Sequence, residues 1–563
     1  MPDLRCPGPA TAAALLASLV LACRENLPAP GGPVASVRIV PESLTIMQGD
    51  TATLAATARN AAGEVLEGVA IAWSSSDTAV ASVGSGGLVR GTAAGAATIA
   101  AATEGDTGTA RVAVLARIAG LDIVPATATL VPGGSLPLAA LALDPSGVSL
   151  GPKTATWSST DTAAVRISPD GTVSAAREGA AWVFARFGNW GDSARIRVVT
   201  VTFTAVSAGP YQSTCATGPQ GAFCWGNEAS AGNLGAGARF DAAATPVGVI
   251  AGDRFATVSA GDAFTCGLTA AGAPFCWGHG AYGRLGDGTV DSVRVEPVPV
   301  AGGLVLRSLS AGRRHACGLT RDGQALCWGG NSTGALGIPS VNDSPLPVVV
   351  ETDRAFVSVG AGYLHSCGLG SDGVAYCWGR GFQLGDSVGV SRSQPAPVYG
   401  GHRFTALSVG WNHSCGLATD GKVWCWGYNL AGELGRPTGM IVTIPVSVDG
   451  GPALAGVTAG YTATCGLTAD GSAYCWGWNN AGQLGTGDTT GGPAPRPVAG
   501  GLRFTALSVS NVHTCGLATD GLLYCWGSRE RGMLGDGLVS GIQMTPVAVN
   551  GQRRTAPARI ALR

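Results

Sequence analysis

Apolar and polar residues alternate along most of this chain in short runs rich in Val, Thr and Ala. Each run is broken after a few residues by Gly, Pro or Asp-Gly. A period of two marks a strand with one buried face, and no stretch carries the 3.6 period of a long amphipathic helix. The pattern predicts an all-β protein. Within residues 34–200 it occurs twice: AWSSSDTAVASVGSGGLVRG begins at Ala72, and TWSSTDTAAVRISPDGTVSA begins at Thr156. Each copy opens with a strand ending in Val-Pro (Val40-Pro41, Val124-Pro125), followed by a turn containing Gly49 or Gly133. About seven short strands fit each copy, as expected of a small β-sandwich, with Trp73 and Trp157 as core residues.

From residue 201 onward the period lengthens to 48–52 residues. A repeat of that length marks a supersecondary unit that stacks on its neighbours, so it takes precedence over any local motif. Trp-Gly recurs at Trp225, Trp277, Trp328, Trp378, Trp426, Trp476 and Trp526, and a Leu-Gly follows each, from Leu234 to Leu534. The units share the elements H-x-C-G-L-x-x-D-G-x-x-x-C-W-G-x-N-x-x-G-x-L-G, with single departures in most copies. This pattern resembles the repeat of the regulator-of-chromosome-condensation family and covers roughly residues 201–553. The resemblance implies a seven-bladed β-propeller of four-stranded units. The two earlier copies resemble the bacterial Ig-like group 2 domain, which implies spacer or adhesive modules. The expected organisation is thus two small Ig-like β-sandwiches, 34–116 and 117–200, followed by a propeller over 201–563. The tail at 554–563 could supply one more strand, and the way the ring closes stays open.

Fourteen of the 16 cysteines fall in pairs, one per unit. Cys215 goes with Cys224, Cys266 with Cys276, Cys317 with Cys327 and Cys367 with Cys377. Cys415 goes with Cys425, Cys465 with Cys475 and Cys515 with Cys525. In the last unit the turn Ala518-Thr519-Asp520-Gly521 sets Cys515 opposite Cys525, Leu517 opposite Leu523 and His513 opposite Gly527. Directly opposed residues on one face come close to the separation a disulfide requires. The first pair is nine apart rather than ten, which a shorter turn at GPQG (218–221) absorbs. A zinc site is the rival reading, but it wants four ligands. The histidine near each pair exists only as His315, His365, His413 and His513; Ser213, Phe264 and Ala463 replace it elsewhere. A residue so replaceable reads as packing. No metal is expected, and without C-x-x-C spacing the pairs do not read as redox centres.

The remaining cysteines are Cys6 and Cys23. The run TAAALLASLVLAC (11–23) has the length of a signal peptide and is too short to span a bilayer. Its end, Val20-Leu21-Ala22-Cys23, resembles the lipobox of bacterial lipoproteins, which implies lipidation at Cys23 after removal of residues 1–22. Residues 23–33 then form a Pro/Gly-rich tether. The expected location is the cell surface or outer membrane, with a membrane contact through the N-terminal lipid, or otherwise secretion. Either route permits disulfides. Charged residues make up 13% of the chain and the net charge is −1. That balance argues against nucleic acid as a partner, because phosphate binding needs a basic face.

No nucleophile elbow, phosphate loop, HExxH or dinucleotide fingerprint occurs. The recurring Asp-Gly residues (Asp322, Asp372, Asp420, Asp470, Asp520) read as turn chemistry, and LGDG at 285–288 and 534–537 lacks the acidic ladder of a calcium loop. The expectation is a binding protein without a cofactor, not an enzyme. In a repeat protein the scaffold positions recur and the binding positions vary. The residue four before each first cysteine reads Tyr211, Asp262, Arg313, Tyr363, Trp411, Tyr461, Asn511; Arg314 follows Arg313. Four aromatics, an arginine pair and an aspartate on one rim have the composition of a recognition surface. A second set after Trp-Gly holds Asn227, His279, Tyr428, Trp478 and Arg529. The expected function is surface binding or adhesion to a protein or polysaccharide. The alternatives are inhibition of an extracellular enzyme by a propeller face and, less favoured, the guanine-nucleotide exchange of the eukaryotic family founder.

Overall fold

The structure is a computed structural model that describes residues 32–210, 213–228, 231–250, 255–437 and 439–553. The leader, Cys23, most of the tether, Tyr211 and the tail from 554 lie outside the described residues. The chain divides into two compact units: one up to Ile118 together with Asp144–Ser146, and one holding the rest.

The first unit is a β-sandwich. One sheet runs in the order Ser43–Met47, Thr107–Leu115, Gly95–Ala102, Ala72–Ser75; opposite it stand the three-stranded sheet of Thr51–Thr53, Leu88–Gly91 and Ala81–Val83 and the pair Ser36–Val40 with Ala55–Arg59. Alternate residues Ile99, Ala101, Val112 and Val114 point inward with Ile39, Leu54 and Val89, and Trp73 packs half-buried against them.

The second unit begins with a copy of the same sandwich. Its strands Thr156–Ser159, Gly179–Phe187 and Trp190–Val198 repeat the order of the first, and Trp157 again lies half-buried. Here the sheet does not stop at the sandwich. Thr127–Leu130 pairs with Trp190–Val198 on one side and touches Ala242–Gly248, the outer strand of the first blade, through Leu130 and Val247. The result is one eight-stranded sheet across both modules. Leu130, Val131, Val198, Val201, Phe203 and Val247 fall in one buried cluster. The second sandwich is therefore part of the propeller's body, not a free spacer, and the expected boundary at 200/201 falls within this shared core. The physical cause is the exposed edge of an outer blade strand, which a neighbouring strand covers.

The propeller has seven blades, each of four consecutive antiparallel strands, from Ala205–Ala208 in the first to Ile542–Ala548 in the last. Among the described residues no blade borrows a strand from the other end of the ring, and smaller contacts join its two ends. Val201 bridges Gln552, and the Ala208 N–H donates to Ser508 Oγ at 2.8 Å. The Trp225 indole N–H donates to the Met533 carbonyl at 3.0 Å. The same indole bond joins other neighbouring blades, such as Trp277 to Asn233 O and Trp526 to Gln483 O, both at 3.0 Å.

Each expected cysteine pair is a disulfide across the central hairpin of its blade. Cys215 is bonded to Cys224, Cys266 to Cys276, Cys317 to Cys327 and Cys367 to Cys377. Cys415 is bonded to Cys425, Cys465 to Cys475 and Cys515 to Cys525. The Cα atoms lie 4.0–4.1 Å apart, and every one of these cysteines is buried. The shorter first loop, between Cys215 and Cys224, is absorbed by a tight turn in which Gly218 pairs with Gly221. The hairpin register of the last blade is His513 to Gly527, Cys515 to Cys525 and Leu517 to Leu523.

The four histidines do more than pack. Nε2 of His315, His365, His413 and His513 meets the hydroxyl of Ser366, Ser414, Thr464 and Thr214 in the next blade, at 2.7–2.9 Å. Where the histidine is replaced by Phe264, the residue at the facing position, Ala316, carries no hydroxyl either, and both are fully buried. Burial disfavours the charged imidazole: His315 and His413 fall to about 4, His365 and His513 to about 3. All four are neutral at pH 7.

Candidate binding face of the propeller

Consecutive antiparallel strands bring two kinds of loop to one end of each blade: the loop after the first strand and the loop after the third. The Asp-Gly hairpin turns go to the other end. The variable positions thus share a face with the loops that follow Trp-Gly.

The first strand of each blade lines the axis. Its serines form a collar: backbone N–H groups of Ala260, Ala311, Ala361 and Ala459 donate to Oγ of Ser207, Ser259, Ser310 and Ser408, each in the preceding blade, at 2.9–3.0 Å. Above the collar comes a ring of glycines. A Cβ on Gly312 would lie 2.4 Å from Gly362 O, and one on Gly410 would lie 2.4 Å from Gly460 O. Only glycine lets adjacent loops approach so closely. The N–H groups of Asp262, Arg313 and Trp411 then donate to the carbonyls of Gly312, Gly362 and Gly460 in the next blade, at 2.9–3.1 Å.

Those bonds turn the next side chains inward. Arg313 Nε binds Asp262 Oδ2 at 3.0 Å. Its guanidinium lies 4.3 Å from the centre of the Tyr363 ring and 5.3 Å from that of Trp411. Tyr363 stacks on Trp411 at 5.4 Å, and Trp411 meets Tyr461 at 4.8 Å. Five of the seven variable residues therefore form one connected plug, of which Arg313, Trp411 and Tyr461 line a cavity of about 210 Å³ among the first strands. Trp411 is only 7% exposed, so it supports the face more than it displays itself. Burial pushes the Asp262 carboxyl up, against the pull of Arg284 and Arg313. Arg284, buried and drawn down to about 10 by desolvation, donates to the carbonyls of His279 and Arg313. Asn511 sits half-buried, its carbonyl accepting from Gln483 Nε2 at 3.0 Å. Tyr211 lies outside the described residues.

Around the plug stand the residues after Trp-Gly and their loops. Arg314 lies 4.8 Å from the Tyr282 ring, Arg380 lies 4.3 Å from the Phe382 ring, and Phe382 meets Tyr428 edge-on at 4.9 Å. Trp478 is 42% exposed and Met440 64%. Arg529 is tied to Asp536 at 2.7 Å and His279 Nδ1 accepts from Ala281 N–H, so these two serve the scaffold. Tyr282, Arg380, Phe382 and Met440 escaped the sequence reading. The signal was present: they lie in the variable stretch between Trp-Gly and the outer strand, and Arg380 stands at the position of Asn227, His279, Tyr428 and Trp478. Asp287 of LGDG pairs with Arg294 at 3.0 Å, and among the described residues no three His, Cys, Asp or Glu side chains gather as metal ligands.

The regulator of chromosome condensation (RCC1) repeat matches residues 306–383, 404–433 and 455–532 in overlapping segments, and the bacterial Ig-like domain (group 2) matches 33–114. The chain carries both. Human E3 ubiquitin-protein ligase HERC2 is 34% identical over 158 residues, which is 27% of this chain and 3% of that protein. The ultraviolet-B receptor UVR8 of Arabidopsis thaliana is 28% identical over 149 residues, 26% of this chain and 34% of that protein. The chain thus spans a minor share of either relative. Among solved structures, human WBSCR16 aligns with a TM-score of 0.53 at 22% identity, over 58% of this chain and 93% of that one. Prp20p from Saccharomyces cerevisiae aligns at 0.51 and 22%, over 62% and 87%. These likenesses establish the propeller fold.

Proposed function

We propose that this chain, a ring of RCC1 repeats on Ig-like sandwiches, is an exported binding protein that takes a protein or polysaccharide ligand on the loop face of its propeller. One observation carries the reading: variable aromatic and arginine residues from successive blades converge on a single face, on a scaffold that otherwise repeats. Aromatic rings and arginines held by their neighbours lose little entropy on binding, which suits them as anchors. Tyr282, Arg314, Arg380 and Trp478 are the contact residues of this reading; Asp262, Arg313, Tyr363, Trp411 and Tyr461 hold them in place. Export is supported by seven buried disulfides, which persist in oxidising compartments, and by the leader at 11–23. Lipidation at Cys23 completes the proposal, anchoring the chain to a membrane surface.

A glycan array and a pulldown against a set of purified secreted proteins would test it with wild type, Trp478→Ala and Arg314→Ala. Both variants should lose at least tenfold in affinity for at least one ligand found. Unchanged binding in both would overturn the assignment of the face. Membrane fractionation with and without globomycin tests the anchor, and a product that stays soluble and unlipidated refutes it.

A further inference from the structure

The two sandwiches share one fold but differ on one solvent face. In the first, the solvent face of the paired strands Gly95–Ala102 and Thr107–Leu115 carries Thr98, Ala100, Ala102, Arg111 and Ala113. At the same register the second carries Trp182, Phe184, Arg186, Arg195 and Arg197, so only Arg195 has its counterpart in the first. Trp182 faces Arg195 across the strands, and Phe184 faces Ser193. Trp182 is 47% exposed and Phe184 41%, unusual for rings of this size on an open sheet. The ion pairs of this sandwich are Arg177 with Asp161 and Arg553 with Glu178, so among the described residues Arg186, Arg195 and Arg197 have no carboxylate partner. At its hairpin end the strip opens into a cavity of about 540 Å³ shared by Phe184, Arg186 and Trp190. The nearby Asp192 is engaged by the Ile123 N–H at 2.7 Å.

We propose that this strip is a second binding site, for an acidic polysaccharide. The two rings offer flat apolar faces to sugar rings, and the guanidiniums pair with carboxylate or sulfate groups. From Ala180 to Arg186 the strip runs about 20 Å at about 3.3 Å per residue, enough for several sugars. It is too narrow for a stable protein interface, which takes about 20–30 residues a side. Three cations on a chain of net charge −1 are too few to track a nucleic-acid backbone. The site shares no residue with the propeller face and stands independently of it.

The test uses the full chain with polygalacturonate, dextran sulfate, neutral dextran and single-stranded DNA as immobilised probes. Wild type should bind one or both polyanions, less tightly as salt rises, and ignore neutral dextran. Polygalacturonate alone would assign a uronate ligand, dextran sulfate alone a sulfated one. The triple variant Trp182→Thr, Phe184→Ala, Arg186→Ala restores the residues of the first sandwich. It should weaken binding at least tenfold without lowering the melting temperature. Arg186→Ala combined with Arg197→Ala is the second variant if the triple one fails to fold. Three results would overturn the proposal: no binding by wild type, equal binding by the variants, or tighter binding to single-stranded DNA.

Discussion

Replacing His315 by Phe and Ser366 by Ala copies a pair that the chain already uses, Phe264 with Ala316, into the next interface of the ring. At neutral pH this double variant should lie within about 1.5 kcal/mol of wild type, as shape-conserving core exchanges do. Ser366→Ala alone should cost more, about 1–3 kcal/mol, because it strands the buried His315 Nε2. The Ala335 carbonyl, which also accepts from Ser366, keeps its bond from the Trp378 indole at 2.9 Å in either variant. The larger effect is in acid. His315 titrates near 6.5 when unfolded and near 4 when folded. Below pH 6.5 the unfolded chain therefore binds a proton that the native state refuses, and stability falls as pH drops until the folded value is reached. At about 1.36 kcal/mol per unit, one such histidine costs about 2 kcal/mol by pH 5 and about 3 kcal/mol by pH 4. Urea unfolding at pH 7.5 and pH 5, followed by tryptophan fluorescence with the disulfides intact, measures the difference. Between those two conditions the double variant should lose about 2 kcal/mol less than wild type. An identical loss would refute the assignment of His315 as a buried neutral strut between blades.

Gly312→Ala should destabilise the ring by about 2–4 kcal/mol, since its Cβ would press on Gly362 O at 2.4 Å; a thermal melt within a degree of wild type would contradict the close approach. The fully buried disulfides should yield no reactive thiol in the native protein. Removing one of them, by Cys465→Ala together with Cys475→Ala, should cost about 2–3 kcal/mol, read from the denaturant midpoint. A chain beginning at residue 201 should expose Val247 and Phe203, now buried with Leu130 and Val131. Limited proteolysis should cut its first blade faster than in the longer protein, and equal resistance would show that the second sandwich adds nothing to that core.

Much of the architecture was legible because periodicity reports burial directly. A period of two announced strands, the 84-residue and roughly 50-residue repeats announced modules, and equal cysteine spacing announced hairpins with a common register. The variable residues Asp262, Arg313, Tyr363, Trp411 and Tyr461 could be found in the same way, as departures from a repeating scaffold. Their state could not. A list of loop residues does not say that inter-blade bonds from Asp262, Arg313 and Trp411 turn the chains toward the axis, leaving Trp411 buried and Tyr282 and Trp478 on view.

By itself the sequence determined the all-β class, the two duplicated sandwiches, the seven blades and the cysteine pairs, because each follows from contacts between residues close along the chain. Tertiary structure alone decided the rest. It joined the second sandwich to the first blade through Leu130 and Val247, and brought Val201 to Gln552 and Ala208 to Ser508 across the ends of the ring. It also made four histidines into struts between blades and gathered distant loops into one face. Those features join residues about 50 to 300 positions apart. Which of them meet is set by how whole modules pack, and no local pattern encodes that.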